Sequence, residues 1–202
     1  MDKSFIKRRR LLTYLGLGAI GVGGVAIASG LRSQKITIPT AVAPNKTATK
    51  DVSAALPPDA KLLPEFQGIS QWLNSSPLTT ADLKGSVVLI QFWTFGCINC
   101  IRTLPYVTSW HEKYAAQGLK IIGVHTPEFA FEKVANNVKQ ALKKHKINYA
   151  VPIDNDFKTW NAYKNEYWPH LFLADRQGVI RYDHIGEGAY SETEQMIRQL
   201  LG

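Results

Sequence analysis

Two cysteines three residues apart follow directly on a strongly apolar run: Val87-Val88-Leu89-Ile90-Gln91-Phe92-Trp93 leads through Thr94-Phe95-Gly96 into Cys97-Ile98-Asn99-Cys100. They are the only cysteines in 202 residues. A run this rich in branched and aromatic side chains predicts a strand buried on both faces, as in a parallel sheet. Ile101 to Gln117 has the length and mixed polarity of a helix. The pair therefore stands where a buried strand gives way to a helix. A thiolate there is stabilised by unpaired backbone N–H groups and the positive end of the helix dipole. Cys100, one turn further in, faces the same side as Cys97. Dithiol exchange needs this arrangement: Cys97 attacks a substrate disulfide and Cys100 resolves the mixed disulfide.

Other chemistries fit the pair less well. A zinc site needs about two further ligands; no third cysteine exists, and the histidines at 111, 125, 145, 170 and 184 have no ligand spacing. A purely structural bridge across three residues closes too small a loop to constrain the unfolded chain much. No metal and no cofactor is expected.

The formal charge of +8 suggests an anionic partner until its location is considered. Residues 1–51 carry nine Lys/Arg against two Asp/Glu, whereas residues 52–202 carry fifteen against fourteen. The nearly neutral remainder has no basic stripe interleaved with aromatics, which argues against nucleic acid. Lys139, Lys143, Lys144 and Lys146 read as the solvated face of a helix.

Lys3, Lys7, Arg8, Arg9 and Arg10 precede Leu11 to Leu31, twenty-one residues without a charge. At ~1.5 Å per residue a helix there just crosses a bilayer core of ~30 Å. The basic flank stays cytoplasmic, which sends the rest of the chain to the other side. Residues 1–31 are thus a signal anchor, the reading their length favours, or a signal peptide cut after Ala26-Ile27-Ala28. Arg8-Arg9-Arg10-Leu11-Leu12 loosely matches a twin-arginine signal, so the export route stays open. Gly16-Leu17-Gly18-Ala19-Ile20-Gly21 satisfies G-x-G-x-x-G but follows a basic segment instead of a strand, so it is not a dinucleotide site. Residues 32–58, rich in Ala, Thr, Pro and Lys, have linker composition.

Residues 59–202 make one domain. Phe66, Ile69, Trp72 and Leu73 with Asn74-Ser75-Ser76-Pro77 predict a short hairpin or meander. Leu119 to Thr126 predicts a second buried strand. Thr126-Pro127-Glu128 reads as N-cap, first-turn proline and first-turn acid of a helix reaching Lys146. Tyr149 to Ile153 is a short strand, and Asp156 caps a short helix carrying Trp160 and Tyr163. Leu171 to Ala174 and Val179 to Ile185 flank the turn Asp175-Arg176-Gln177-Gly178 as a hairpin. Ser191-Glu192-Thr193-Glu194 is a capping box for the last helix. The alternation predicts an α/β sandwich with a mixed sheet.

The residues resemble a known family. Phe92-Trp93-x-x-x-Cys97-x-x-Cys100 with Pro105, a proline inside an otherwise helical stretch, is similar to thioredoxin. Finer features resemble its exported TlpA/ResA-like branch, and above all the thioredoxin-like (redoxin) domain of DipZ-type cytochrome c biogenesis proteins. They are Trp72-Leu73-Asn74-Ser75, FWTFGCINCIRTLPY (92–106), GVHTPEFAFEK (123–133), DNDFKTWNAY (154–163), YWPHLFLAD (167–175) and IRYDHIGEGAYSETE (180–194). The resemblance implies a thioredoxin fold with a central insert near residues 128–156 and helices on both faces of the sheet. It implies exported dithiol–disulfide exchange, with a redox disulfide between Cys97 and Cys100. The expected partners are protein disulfide substrates and a membrane thiol–disulfide carrier, with the domain monomeric. It gives Pro169, after Trp168, the role of a cis-proline facing the dithiol. It makes Trp93 a shield beside the sulfurs, and Glu128 a candidate proton acceptor. In thioredoxin the place of Gln91 holds a buried Asp that can accept the proton of the second cysteine; Gln91 cannot. With Ile98-Asn99 between the sulfurs and no cationic His there, a strongly oxidising dithiol near about −120 mV is not expected.

Two other functions stand against the reductase reading. A peroxidase of the peroxiredoxin kind needs P-x-x-x-T-x-x-C; Thr94 stands three before Cys97, but Ile90 holds the proline position. A non-catalytic binding module would keep the fold and lose the chemistry.

Overall fold

The computed structural model describes residues 59–202. The anchor or signal (1–31) and the linker (32–58) predicted above lie outside them. Among the described residues no helix is long and apolar enough to cross a membrane.

The described residues form a six-stranded mixed sheet with helices on both faces. The strands are β1 (Gln71–Leu73), β2 (Val87–Trp93), β3 (Leu119–His125), β4 (Val151–Ile153), β5 (His170–Ala174) and β6 (Ile180–Ile185), in spatial order β1-β4-β3-β2-β5-β6. β2, β3 and β4 run parallel, while β1, β5 and β6 pair antiparallel. β2 is central and every one of its residues is buried, as its unbroken apolar run requires. Alternation along it feeds two cores. Val87, Leu89 and Trp93 pack on one face with α1 (Ile98–Tyr114), α2 (Ala135–Lys144) and α4 (Tyr190–Leu201). Val88, Ile90 and Phe92 pack on the other with Trp160 of α3 (Lys158–Ala162), Tyr163, Leu63 and Leu83.

Four local expectations are corrected. No hairpin precedes β2: residues 71–73 form a single strand that pairs with β4, and Leu62 bridges Val179. No helix starts at Thr126-Pro127-Glu128. The chain makes a short 3-10 turn at Ala130–Lys133 and only then enters α2, because the Glu132 carboxylate takes the N–H groups of Glu128 and Phe129. Asp154, not Asp156, caps α3, accepting from Thr159 N at 3.2 Å and Trp160 N at 2.8 Å. The Ser191–Glu194 capping box is absent: α4 begins at Tyr190 after Ala189 in left-handed conformation, and Glu194 is turned to the Tyr114 hydroxyl at 2.7 Å.

Candidate active site

Three loops meet at the C-terminal end of β2. The first leads from Trp93 to the cysteines. The second leaves β3, and its Thr126 N–H donates to Trp93 O at 3.1 Å. The third ends at Pro169, whose successor His170 pairs with Phe92 of β2. Thr126 ties the three: its carbonyl accepts from Trp168 Nε1 at 3.0 Å, and its hydroxyl lies 3.3 Å from Asp154 Oδ2. The Trp168–Pro169 peptide bond is cis. Pro105 lies inside α1, about two turns past Cys97.

Cys97 is the N-cap of α1, half-buried, with extended backbone angles. Its Sγ accepts from Cys100 N at 3.2 Å. Both thiols are free. The hydrogen bond from the Cys100 thiol to the Cys97 sulfur, helped by the N–H groups of Cys100 and Asn99, outweighs partial burial and brings the pKa of Cys97 down to about 7. Cys100 is fully buried. Burial pushes its thiol far up, and the neighbouring Cys97 sulfur and the Glu132 carboxylate push the same way. The two sulfurs are thus unequal: one ionisable and reachable, the other protonated and enclosed.

The predicted neighbours divide. Trp93 is fully buried in the same core as Cys100, with Nε1 donating to Gly123 O at 3.2 Å. Gln91 is fully buried, and among the described residues neither its Nε2 nor its Oε1 has a hydrogen-bond partner. Glu128 is exposed, and its charge raises the pKa of Cys97 slightly against the stronger hydrogen-bond effects. Thr94, the motif threonine of the peroxidase reading, has its hydroxyl 3.3 Å from His125 Nε2.

The residue that sequence reasoning missed is Glu132. It is fully buried, and its carboxylate accepts the N–H of Gly96 at 2.7 Å, of Glu128 at 2.6 Å and of Phe129 at 2.8 Å. Burial pushes its pKa up, but the hydrogen bonds from Thr94 and those three N–H groups outweigh it and hold the group below the ordinary carboxylate range. A Cβ at Gly96 would overlap this carboxylate, so glycine is needed there for room, not for backbone conformation. His125, beside Thr94, is fully buried and pushed down to about 4 by that burial, with the Glu132 charge opposing. In the sequence, Glu132 stands between Phe131 and Lys133 and looks like any surface acid; only a carboxylate three residues after a backbone turn hints at such a role.

Comparison with known proteins agrees with this geometry. Residues 57–200 match the family described as Redoxin. Over 141 residues the chain is 46% identical to protein DipZ of Mycobacterium tuberculosis; the match covers 68% of this chain and 20% of DipZ, so the chain spans about a fifth of that relative. It is 27% identical to the thiol-disulfide oxidoreductase YkuV of Bacillus subtilis, covering 69% of this chain and 93% of YkuV. The crystal structure of the thioredoxin-like superfamily protein SPOA0173 superposes with a TM-score of 0.65 at 28% identity, covering 71% of this chain and 97% of that one. The chain belongs to the redoxin family, with the fold and paired cysteines of thioredoxin-like thiol–disulfide oxidoreductases.

Proposed function

We propose that this thiol–disulfide oxidoreductase reduces disulfides in proteins outside the cytoplasm, with Cys97 as nucleophile and Cys100 as resolving thiol. The observation that supports this most is the inequality of the sulfurs: Cys97, half-buried at a helix N-cap with a pKa of about 7, beside an enclosed, protonated Cys100.

The Cys97 thiolate attacks one sulfur of a substrate disulfide, forming a mixed disulfide and releasing one substrate thiolate. The Cys100 proton leaves, its sulfur attacks the Cys97 sulfur, and the second substrate thiolate departs. Two electrons have passed to the substrate, the protons end on its thiols, and Cys97–Cys100 is left as a disulfide. A dithiol carrier in the membrane then reduces it. Glu128, exposed and within electrostatic reach of Cys97, is the carboxylate proposed to carry the proton from Cys100, a task Gln91 cannot perform. Pro169 is proposed to line the substrate's path, with Trp168, Trp93 and Pro105 supporting the loops around the sulfurs.

The placement outside the cytoplasm rests on the sequence of residues 1–31, which would tether the domain to the membrane or release it by cleavage near Ala28. Haem-receiving CxxC segments of c-type cytochromes are one substrate class this placement suits, and the domain is proposed to act as a monomer. Cys100→Ser in the native membrane fraction is the test. It should trap disulfide-linked partners through Cys97, and a variant that traps none would sink the reading.

A further inference from the structure

Two half-exposed phenylalanines stand in the segment that reaches Gly96, the residue before Cys97. Phe129 and Phe131 are 50% and 52% exposed, Val134 is 49% exposed, and Ile98, next to Cys97, is 60% exposed. Large exposed apolar groups scattered singly need no explanation, but Phe129 and Phe131 belong to one arrangement. The rings of His125, Phe95, Phe131 and Phe129 follow one another at centroid separations of 5.5, 5.7 and 5.7 Å, stepping from the buried core out to solvent. The outer pair, Phe129 and Phe131, lies parallel within 4°. Phe131 Cζ comes to 3.7 Å from where a Cβ on Gly96, the residue before Cys97, would stand.

The segment that carries the phenylalanines is also fixed. Glu132 holds Glu128 N, Phe129 N and Gly96 N on one carboxylate, and Asn137 Nδ2 donates to Phe131 O at 2.9 Å. A buried, fully bonded carboxylate is a demanding way to shape a loop, since its charge must be desolvated. What it achieves is to present two aromatic faces beside the nucleophile with little left to order on binding, which is where preorganisation raises affinity. Glu128, at the start of the same segment, adds exposed negative charge to that rim.

We propose that Phe129 and Phe131 form a docking surface for the substrate polypeptide, favouring disulfide-bearing segments with a bulky apolar side chain and a basic residue beside the reactive cysteine. The proposal rests on the reductase reading above and adds to it a selecting surface outside the dithiol. Its occupant is an extended polypeptide segment: the surface adjoins Gly96, the residue before the reacting cysteine, offers π-faces for an apolar side chain, and carries a charge that attracts a cation.

The test uses the full chain and its Phe129→Ser/Phe131→Ser double variant. Three disulfide-linked peptides are compared: one with Phe and Lys flanking the cysteine, one with Phe replaced by Gly, and one with Lys replaced by Glu. Second-order rates of reduction are followed by stopped flow. The wild type should reduce the Phe/Lys peptide about tenfold faster than the Gly peptide, the factor that corresponds to roughly 1.4 kcal/mol. It should also disfavour the Glu peptide. In the double variant the Phe-over-Gly ratio should fall to about one, the value for a surface that contributes no such contact. A wild type without the preference, or a double variant that keeps it, overturns the proposal. So does sedimentation showing a wild-type dimer that the double variant abolishes, since the rings would then serve a second copy of the chain. A wild type that reduces none of the peptides nor a small organic disulfide removes the reductase reading and the docking surface together.

Discussion

Glu132 Oε1 accepts the backbone N–H of Gly96 at 2.7 Å, so the residue before the nucleophile is held by a side chain 36 positions further along the chain. The other oxygen, Oε2, holds the turn at Glu128 and Phe129. Glu132→Gln keeps the size but puts an NH2 donor against backbone donors and removes the charge. We expect a loss of about 2–4 kcal/mol, the range for breaking a buried, charged hydrogen-bond set. Urea unfolding measures it, and a change under about 0.5 kcal/mol, the range of ordinary surface substitutions, would contradict the assignment.

The pH dependence of Cys97 alkylation should follow a thiolate with an apparent pKa of about 7, the rate rising through that pH and levelling above it. Cys100 should stay unreactive in the native protein, because burial holds it protonated.

Glu128→Gln separates two roles. Removing a negative charge that raises the pKa of Cys97 should move the alkylation profile to lower pH. If Glu128 also carries the proton of Cys100, release of the second substrate thiolate should slow by about a hundredfold, the size of a positioned general base. An alkylation shift with an unchanged release rate leaves Glu128 as an electrostatic neighbour only.

His125 makes the fold sensitive to acid. Its folded pKa, pushed by burial to about 4, lies below the unfolded value near 6.5, so the unfolded chain binds more protons between these two values. Its contribution to stability is complete above pH 6.5 and is lost as pH falls toward 4, by about 3 kcal/mol in all. His125→Gln should flatten the unfolding free energy against pH in that window; an unchanged slope would mean that other groups set it.

Asp154 caps α3 and touches Thr126. Asp154→Ala should cost about 1–3 kcal/mol by leaving the N–H groups of Thr159 and Trp160 without their partner, read from thermal unfolding. Asp156→Ala should change little.

How far the sequence was legible depends on whether local composition alone decides an interaction. The dithiol's place was readable because the run from Val87 to Trp93 is apolar on both faces and therefore central, and a helix has to follow it. The turns were not readable in the same way. Thr126-Pro127-Glu128 has the composition of a helix start, but the N–H groups of Glu128 and Phe129 go to the nearby Glu132 carboxylate, whose other oxygen is held by Gly96 from a distant loop. Asp154 and Asp156 are equivalent by composition. The choice falls to Asp154 because Phe157, at φ 61°, turns the chain so that Thr159 and Trp160 point back to it. Glu194 fits a capping box, yet the Tyr114 hydroxyl of α1 claims it. In each case the folded chain gave a carboxylate or an N–H group a partner other than the one its local composition suggests, and only for Glu194 is that partner distant in sequence. Gln91 itself is visible in the sequence; that its two polar atoms are buried without partners among the described residues is visible only in the fold.

The central place of β2 also has a kinetic consequence. A strand flanked on both sides and covered on both faces can release its amide protons only when most of the domain opens. Leu89 to Phe92 should therefore exchange hydrogen at the rate set by global unfolding, while the edge strands β1 and β6 exchange through smaller openings. The reactive sulfurs are attached to the slowest-opening part of the molecule, so repeated cycles of bond exchange at Cys97 can proceed with their foundation closed.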